Sequence, residues 1–570
     1  MQLLTMRGVQ MMAVVSLVTG GACEKKGEKN ASVANVAPGV PELVAKPASV
    51  NIATLSAPAL LASVPADTPY LITAFEAIPL EYYAKLKQAL GPAMGNAVDQ
   101  FRALAKDDDA DRLISAIQDE LAGKLDAKGL ESLGFNAKPR FALYGLGLAP
   151  VVFRIEVRDD KVVLATIQRI ASRAGITLPA VETKDGRSFW RISPDRDATG
   201  ILSLADNQLV AAFGRTADVE RQLGLILGSE KPQVSMAGGK QLLELMAKHH
   251  FGPHMIGFVD TQKLAMQGMA FAGRTPAPQC TSEIDRLSSR VPRMLFGYST
   301  LNAKVASGGM VIELAPDLVT ELRAARAEVP GLAEAVASQP MLAFSFAGHV
   351  ERMRKLALDA AAAMRRFGDA CQLADLSRAS AEAGDTLSKP VPAALGGGIG
   401  ALLVAQEILF AAGGGGMPER VEGFAAIAAP DARSLYAFWE SMTPQIAAFG
   451  VKPDGKVYPV TGVPVPFALH AAVGQRTIVV GVGGTGKGHA ERLVTAKATG
   501  MSPFIVMSYD YGQLLHLQSE VNKLTDDPAD PTAAMRADLN AAVGAMFGRA
   551  AGTLDVGDHG LAFWATMEMK

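Results

Sequence analysis

The chain is poor in cysteine, poor in aromatic residues and close to neutral. Its 570 residues include 3 cysteines, 6% are aromatic, and the formal net charge is −2 at pH 7. Nucleic-acid-binding domains carry a clear basic excess, so this balance argues against a nucleic-acid partner. With so few aromatic side chains, the core must be built mainly from Ala, Leu, Val and Met. About half of the residues are apolar (49%) and 20% are charged, which is typical of a folded globular protein.

Long apolar runs are also missing. The N-terminal run at residues 11–18 is shorter than the ~20 residues that a membrane-spanning helix needs. A second apolar stretch, 395–416, is interrupted at its centre by Gln406 and Glu407 and ends in a cluster of glycines. Because a charged group is costly inside a bilayer, we expect this stretch to form buried strands with a glycine loop at 413–416.

What the N-terminus does contain is an export signal. Arg7 precedes the apolar run, and the small residues 20–22 lead directly to Cys23, after which the chain is charged. A basic start, a short apolar core and small residues at a cleavage point predict a secretory signal peptide at residues 1–22.

The end of this signal resembles that of a bacterial lipoprotein, in which the cysteine after the cleavage point is lipidated. That pattern prefers Leu where Gly20 stands. The resemblance implies a lipid on Cys23 and a membrane-anchored protein of the cell envelope, facing the periplasm or the cell surface. Ordinary cleavage after Ala22, which would give a soluble secreted or periplasmic protein, is the alternative.

The cysteine count agrees with lipidation. An odd cysteine in an exported protein leaves a free thiol or an intermolecular bridge. If Cys23 carries a lipid, Cys280 and Cys371 are the two that remain, and they can pair in an oxidising compartment. The other interpretation is two separate buried thiols, which behave as small apolar residues.

The length predicts several domains rather than one core. Residues 23–61 are predicted to be a flexible tether, since they are rich in Ala, Val, Ser and Asn and contain prolines that interrupt any helix. Those prolines are Pro38, Pro41, Pro47 and Pro58.

Beyond the tether, the sequence matches itself at a nearly constant separation. Residues 69–75 match residues 340–346, and the same separation brings Phe153 onto Phe424 and Asp160 onto Asp431. The separation then shortens, which indicates an insertion near residues 225–250 of the first copy. Past that point, the strand-end aspartates Asp260 and Asp510 match, as do Phe296-Gly297 and Phe547-Gly548. Self-similarity of this kind predicts two tandem copies, at 62–330 and 331–570.

Each copy has the same predicted order of elements. A strand is followed by a long helical stretch, then by strands, a helix beginning near Asp160 or Asp431, and a hairpin at Asp206-Asn207 or Gly474-Gln475. A helix, a strand ending at an aspartate, another helix and a last hairpin complete the copy. Consecutive strands with helices between them predict an α+β fold, in which helices pack on antiparallel sheets.

These segments resemble a bacterial envelope family of unknown function. Its members open with a PADT-like segment before a strand, which is Pro65-Ala66-Asp67-Thr68 in this chain. They then repeat a unit of strand, helix, hairpin and helix, represented by FRIEVRDDKVVLATIQRIA, GILSLADNQLVAAFG and ADVERQLGLIL. The resemblance covers most of residues 62–570 and implies no catalytic residues.

One motif resembles a phosphate-binding loop. Gly481, Gly483 and Gly486 satisfy G-x-G-x-x-G between a predicted strand and a helix. Gly488 stands where a phosphate-binding loop needs Ser or Thr, and a dinucleotide-binding fold needs an acidic residue about twenty positions further on, where this chain has none. We therefore interpret the motif as a turn and expect no cofactor.

Two other groups of residues resemble metal sites. His249, His250 and His254 have ligand chemistry, but a zinc site needs a further ligand, so surface or turn histidines are the preferred interpretation. Asp107, Asp109 and Asp111 match the start of a calcium loop. That loop then requires glycine where Arg112 stands and glutamate where Gln118 stands, so we expect a solvated acidic turn. The same interpretation applies to Asp526, Asp527 and Asp530.

The sequence therefore indicates a lipid-anchored envelope protein that binds or scaffolds an envelope protein or an apolar ligand without catalysis. No catalytic, cofactor or metal residue is assigned. One alternative is an exported hydrolase with a site between the two copies, for which Asp260 and Asp510 are the first candidates, although helix N-caps explain them as well. A third possibility is a carrier that holds an apolar ligand under a curved sheet.

Overall fold

The computed structural model describes residues 55–82, 84–85, 108–124, 126–192, 197–238, 240–410, 418–498, 500–525, 540–541 and 543–570. The predicted signal peptide, Cys23 and most of the tether lie outside these residues. So do Asp107, the loop at 413–416 and the aspartates at 526, 527 and 530. Among the described residues, no helix is long and apolar enough to cross a membrane.

The fold is a mixture of α-helices and antiparallel strands, as predicted, and the chain forms two compact units. The described parts of 55–276 and 292–310 make the first unit, whereas 277–291 and 311–570 make the second. The strand Val305–Glu313 (β10) runs from the first unit into the second.

Within its described residues, the first unit contains nine strands before β10 and, besides helical residues at 80–82 and 84–85, seven helices. The strands are β1 (Tyr70–Thr73), β2 (Phe141–Gly145), β3 (Val151–Glu156), β4 (Val181–Lys184), β5 (Arg187–Ile192), β6 (Ala198–Ala205), β7 (Gln208–Arg215), β8 (Ile256–Asp260) and β9 (Arg293–Leu301). The helices are α1 (Asp108–Leu121), α2 (Ala127–Ser132), α3 (Asp160–Ala174), α4 (Thr216–Arg221), α5 (Leu223–Leu227), α6 (Gln241–His249) and α7 (Thr261–Phe271). The spatial order is β4-β5-β6-β7-β3-β2-β1-β8-β9, with every neighbour antiparallel.

The second unit also combines helices with antiparallel strands. Its helices are α8 (Pro278–Arg290), α9 (Pro316–Ala324), α10 (Leu332–Ala337), α11 (Val350–Ala370), α12 (Ala374–Ser388), α13 (Ala432–Met442), α14 (Gly486–Leu493) and α15 (Tyr511–Thr525). Its strands are β11 (Leu342–His349), β12 (Gly398–Phe410), β13 (Pro418–Ala428), β14 (Val457–Pro459), β15 (Leu469–Val473), β16 (Thr477–Val482), β17 (Ile505–Asp510), β18 (Phe547–Val556) and β19 (Gly560–Met569). The spatial order is β14-β15-β16-β13-β12-β11-β17-β18-β19, again antiparallel throughout.

Side-chain caps and tight turns fix the ends of several elements. Asp159, one residue before the predicted cap, accepts hydrogen bonds from the Lys161 and Val162 amides at the start of α3. Asp431 caps α13 in the same way through the Ser434 amide. The first hairpin turns at Asp206 and Asn207, which have φ angles of 55° and 56°, so both adopt the left-handed conformation that a two-residue hairpin turn requires.

Other boundaries differ from those predicted. The long helical stretch that the sequence predicts after the first strand of the second copy, at residues 350–381, is divided into α11 and α12, because Gln372 has a φ of 56° and interrupts the helix. The second hairpin turns between Gly474 and Thr477, whose amide and carbonyl are 2.8 Å apart, so its centre lies one residue beyond the predicted pair. The apolar stretch at 395–416 contains the strand β12, as predicted, but this strand is not fully buried, because Leu403 and Leu409 are 47% and 45% exposed.

In each unit, helices pack against apolar parts of the strands. In the first unit, Phe153 and Ile155 of β3 pack with leucines of α1 and α2 and with Val163 of α3. In the second unit, one face packs against α10 and α14, while the far end of the other face, around β15 and β16, packs against α13. The core is aliphatic and alanine-rich in the second unit, as the composition predicts.

Candidate functional site

The glycine-rich loop connects β16 to α14, and packing explains its glycines. Gly483 has a φ of +83°, a conformation that favours glycine. A side chain at Gly481 would collide with the backbone of Gly486, where the helix begins. The spacing that resembles a nucleotide motif is therefore required for the helix to start directly against the strand.

The amides of this loop are already occupied by a carboxylate of the chain itself. Glu422 of β13 is 8% exposed, and it accepts hydrogen bonds from the Gly484 and Thr485 amides at 3.0 Å each. The Thr485 hydroxyl donates to the same carboxylate at 2.7 Å. The Arg420 guanidinium lies 3.5 Å away. Glu422 thus lies where a bound phosphate would lie in a nucleotide-binding loop.

These contacts control the protonation of Glu422. The backbone hydrogen bond from Thr485 is the largest cause, and together with the Thr485 hydroxyl, the Gly484 amide and Arg420 it lowers the pKa of Glu422 to about 2, against the opposing effect of burial. A carboxylate with so low a pKa is a weak proton acceptor at neutral pH. The Glu422–Thr485 pair therefore does not form an activated nucleophile and base.

A histidine lies beside the same loop. The ring of His489 in α14 packs on Phe424, with 4.8 Å between ring centroids. Its Nδ1 is 3.0 Å from the Arg492 guanidinium. Burial, followed by the positive charge of Arg492, lowers the pKa of His489. His489 is therefore biased towards its neutral form.

The three histidines singled out in the sequence have different surroundings. His249 is buried in the last turn of α6, and His250 follows it in a left-handed conformation. The Nδ1 atom of His254 is 2.9 Å from the Ala77 carbonyl oxygen. Within the described part of the chain, no group of three His, Cys, Asp or Glu residues is placed to hold a metal ion.

The strand-end aspartates act as helix caps. Asp260 accepts a hydrogen bond from the Lys263 amide at 3.0 Å, and Asp510 accepts one from the Gln513 amide at 3.0 Å. Each satisfies a backbone donor that the first turn of a helix leaves without an intrahelical partner. Asp109 and Asp111 lie in the first turn of α1.

Two cysteines form a covalent link in the second unit. Cys280, in the first turn of α8, and Cys371, directly after α11, have their sulfur atoms 2.04 Å apart. Both side chains are buried. The bond therefore fastens α8 to the end of α11.

A polar cluster in the first unit was not found from the sequence. Arg154 is 2% exposed, and its guanidinium donates to the Tyr144 hydroxyl at 3.0 Å and to the Gln208 side chain at 3.2 Å. It also donates to the carbonyls of Leu225 and Ile226 at the end of α5, at 3.1 and 2.7 Å. A cation at the C-terminal end of a helix is favourable, so the cluster anchors α5 to the sheet.

Comparison with known proteins gives no assignment: no protein-family model matches the chain, and neither does any curated protein or solved structure. The geometry described above is therefore the basis for a functional proposal.

Proposed function

We propose that this chain is a lipid-anchored protein of the cell envelope, built from two tandem copies of one α+β unit, that binds or scaffolds without catalysis. Its contact with the membrane is the lipid on Cys23. Its other partner is an envelope protein or an apolar ligand, and the formal charge of −2 argues against nucleic acid.

The order of strands supports two copies. The strands β1 and β11 occupy equivalent places in the two units. The next strand along the chain, β2 or β12, pairs with one edge, and β8 or β17 pairs with the other. The strands further out follow in the same order in both units. Insertions fall in the connections and leave this order unchanged. One sheet order repeated over eight strands is difficult to obtain by chance in one chain.

Cross-strand pairs support the same conclusion residue by residue. Asp260 faces Arg293, and at the corresponding register Asp510 faces Arg549. Three residues before each aspartate, both units pair a glycine with a large apolar residue, but on opposite strands. Gly257 faces Phe296 in the first unit, whereas Met507 faces Gly552 in the second. Exchanging a large and a small residue across a pair keeps the packed volume, as expected for two copies that diverged.

The polar groups support a non-catalytic role. The groups that corresponding positions share are helix caps and an Asp–Arg pair, and the glycine-rich loop holds Glu422 rather than an open anion site. The occupation of this loop by a carboxylate is the single observation that most favours binding over nucleotide chemistry.

The disulfide supports export. Disulfides persist in oxidising compartments and are rare in the cytosol, so the Cys280–Cys371 bond fits a chain that folds outside it. With these two cysteines paired, Cys23 is the one cysteine of the sequence left for a lipid.

The anchor is tested by intact-mass and peptide mass spectrometry of the full chain isolated from its own membranes. We expect an N-terminus at Cys23 that carries acyl chains, and a Cys23→Ala variant that leaves the membrane fraction. An unmodified Cys23, or a mature N-terminus elsewhere, would contradict the proposal. Affinity capture from solubilised membranes, compared between the acylated chain and Cys23→Ala, then identifies partners that depend on the anchor.

A further inference from the structure

One face of the second unit's sheet carries an apolar strip. It consists of every second residue of β11 from 342 to 346, of β12 from 401 to 405 and of β17 from 505 to 509, which lie side by side in register. In its central row, Phe344 is flanked by Leu403 and Met507. None of the nine positions carries a charged group. The strip is thus a continuous hydrocarbon surface across three strands.

The ends of this strip are half-buried, while its centre is exposed. At one end, Ile505 packs against the same buried cluster, around Phe504 and Val556, as Met353 and Leu356 of α11. At the other end, the rings of Tyr509 and Tyr511 are 4.8 Å apart. Between them, Phe344 is 40% exposed and Leu403 is 47% exposed. Large apolar residues are exposed here side by side, unlike the scattered single residues that any protein surface contains.

The first unit indicates what covers such a face. Its residue at the register of Leu403 is Leu143, which packs against the buried cluster that contains Leu130 of α2 and Leu133 directly after that helix. In the second unit, the chain between the first two strands instead forms α11 and α12, which pack against each other. Helix α15 contacts β12 and β17, yet Phe344 and Leu403 at the centre of the strip remain exposed.

The size of the strip selects the kind of occupant. Three strands about 4.8 Å apart and five residues along each give a surface of about 10 by 14 Å. A stable dimer or protein complex buries about 800 Å² on each partner, several times that area. A hydrocarbon chain needs no hydrogen bonds from the sheet, and it gains free energy with every methylene it buries.

We propose that this strip binds the hydrocarbon chain of a lipid, with Phe344 and Leu403 as its floor. The inference rests on the proposed binding role and gives it a ligand class. It does not depend on the anchor at Cys23.

Photolabelling of the purified full chain tests the proposal, with a diazirine-bearing palmitate as the probe. We expect the label on peptides that contain Phe344, Leu403 or Met507. Leu403→Asp should reduce labelling of these peptides by about tenfold, because it places a charge against the probe's hydrocarbon. Met442→Asp is the matched control, since Met442 is 69% exposed in α13 and lies off the strip, and it should leave labelling unchanged.

Three outcomes would overturn the inference. One is labelling spread evenly over exposed apolar residues, and another is labelling that Leu403→Asp does not reduce. The third is a concentration-dependent dimer, seen by light scattering, that Leu403→Asp abolishes, which would assign the strip to a second copy. Leu403→Ser and thermal melts of all variants separate loss of binding from loss of folding. Mass spectrometry of Cys23 tests the lipid anchor separately from photolabelling of the strip, so one proposal can be contradicted while the other still holds.

Discussion

The same position in the two units holds opposite chemistry. In the first unit, β3 carries Arg154, whose guanidinium is buried among a hydroxyl, an amide and two carbonyls. At the same register, β13 carries Ala426, which packs in an aliphatic cluster. One sheet order thus accepts a polar or an apolar interior, provided that all the neighbours change together. A buried polar network stabilises a fold only when its members are satisfied.

Removing Arg154 should have the largest effect. We expect Arg154→Ala to lower the free energy of unfolding of the first unit by about 3–5 kcal/mol, since it leaves Tyr144, Gln208 and the end of α5 without their shared donor. Urea unfolding followed by circular dichroism measures the loss. Ala426→Gly, a small change at the matched position, should cost much less. Equal losses in the two variants would mean that the polar interior is not essential.

Breaking the disulfide should have the next largest effect, and only in the second unit. Replacing Cys280 and Cys371 together by Ser opens a link between residues 91 positions apart. We expect a loss of about 2–4 kcal/mol, because the unfolded chain is no longer constrained. Hydrogen exchange should become faster in α8 and α11, while the exchange rates in β1–β7 should not change. Faster exchange in both units would contradict this localisation.

Glu422 should give a smaller effect that depends on pH. The pKa of Glu422 in the folded chain is about 2, below the value of 4.5 for a free carboxyl. Its contribution to the free energy of unfolding is therefore complete above pH 4.5 and is lost as the pH falls towards 2. We expect Glu422→Gln to cost about 1–3 kcal/mol at pH 7 and progressively less below pH 4.5.

The control for this variant is Glu407→Gln, since Glu407 lies 3.2 Å from Arg420 but is more exposed. Thermal melts across pH 2–7 should converge for wild type and Glu422→Gln at the acidic end. Parallel curves for the two proteins would show that the loop does not hold a charged carboxylate.

The helix caps should give the smallest effects and the closest match between units. Asp159→Ala and Asp431→Ala each remove one cap at the start of corresponding helices, α3 and α13. We expect Asp159→Ala to cost about 1 kcal/mol, and Asp431→Ala to lower the midpoint of chemical denaturation about as much as Asp159→Ala does. A clearly larger shift of the midpoint in one variant than in the other would show that the two helices are held by different interactions.

The sequence is sufficient to predict most elements of this fold, because their signals are local. Strand ends at Asp260 and Asp510, the turn at Asp206 and the strand after Leu395 all follow from neighbouring residues. The sequence aligns the two proposed copies less accurately. Side-chain burial aligns Leu71 with Ala343 rather than with Leu342, and α3 is capped by Asp159 rather than Asp160.

The reason for this one-residue error is physical. Over residues 342–347, neither face of β11 carries a charged side chain, so a shift by one residue exchanges the faces with little change in the hydrophobic pattern. The contacts of Glu422 and Arg154 were not predicted either. Most of them join residues more than fifty positions apart, as with Glu422 and Gly484 or Arg154 and Gln208, and no local pattern marks them.

Helix α8 has a practical consequence for anyone who divides this protein. It lies in the sequence between α7 and β9 of the first unit, yet it belongs to the second and is bonded there through Cys280. Neither unit corresponds to one uninterrupted stretch of the gene. A fragment cut at residue 310 would carry α8 and its thiol away from Cys371, whereas a fragment that starts at residue 311 would leave that cysteine unpaired.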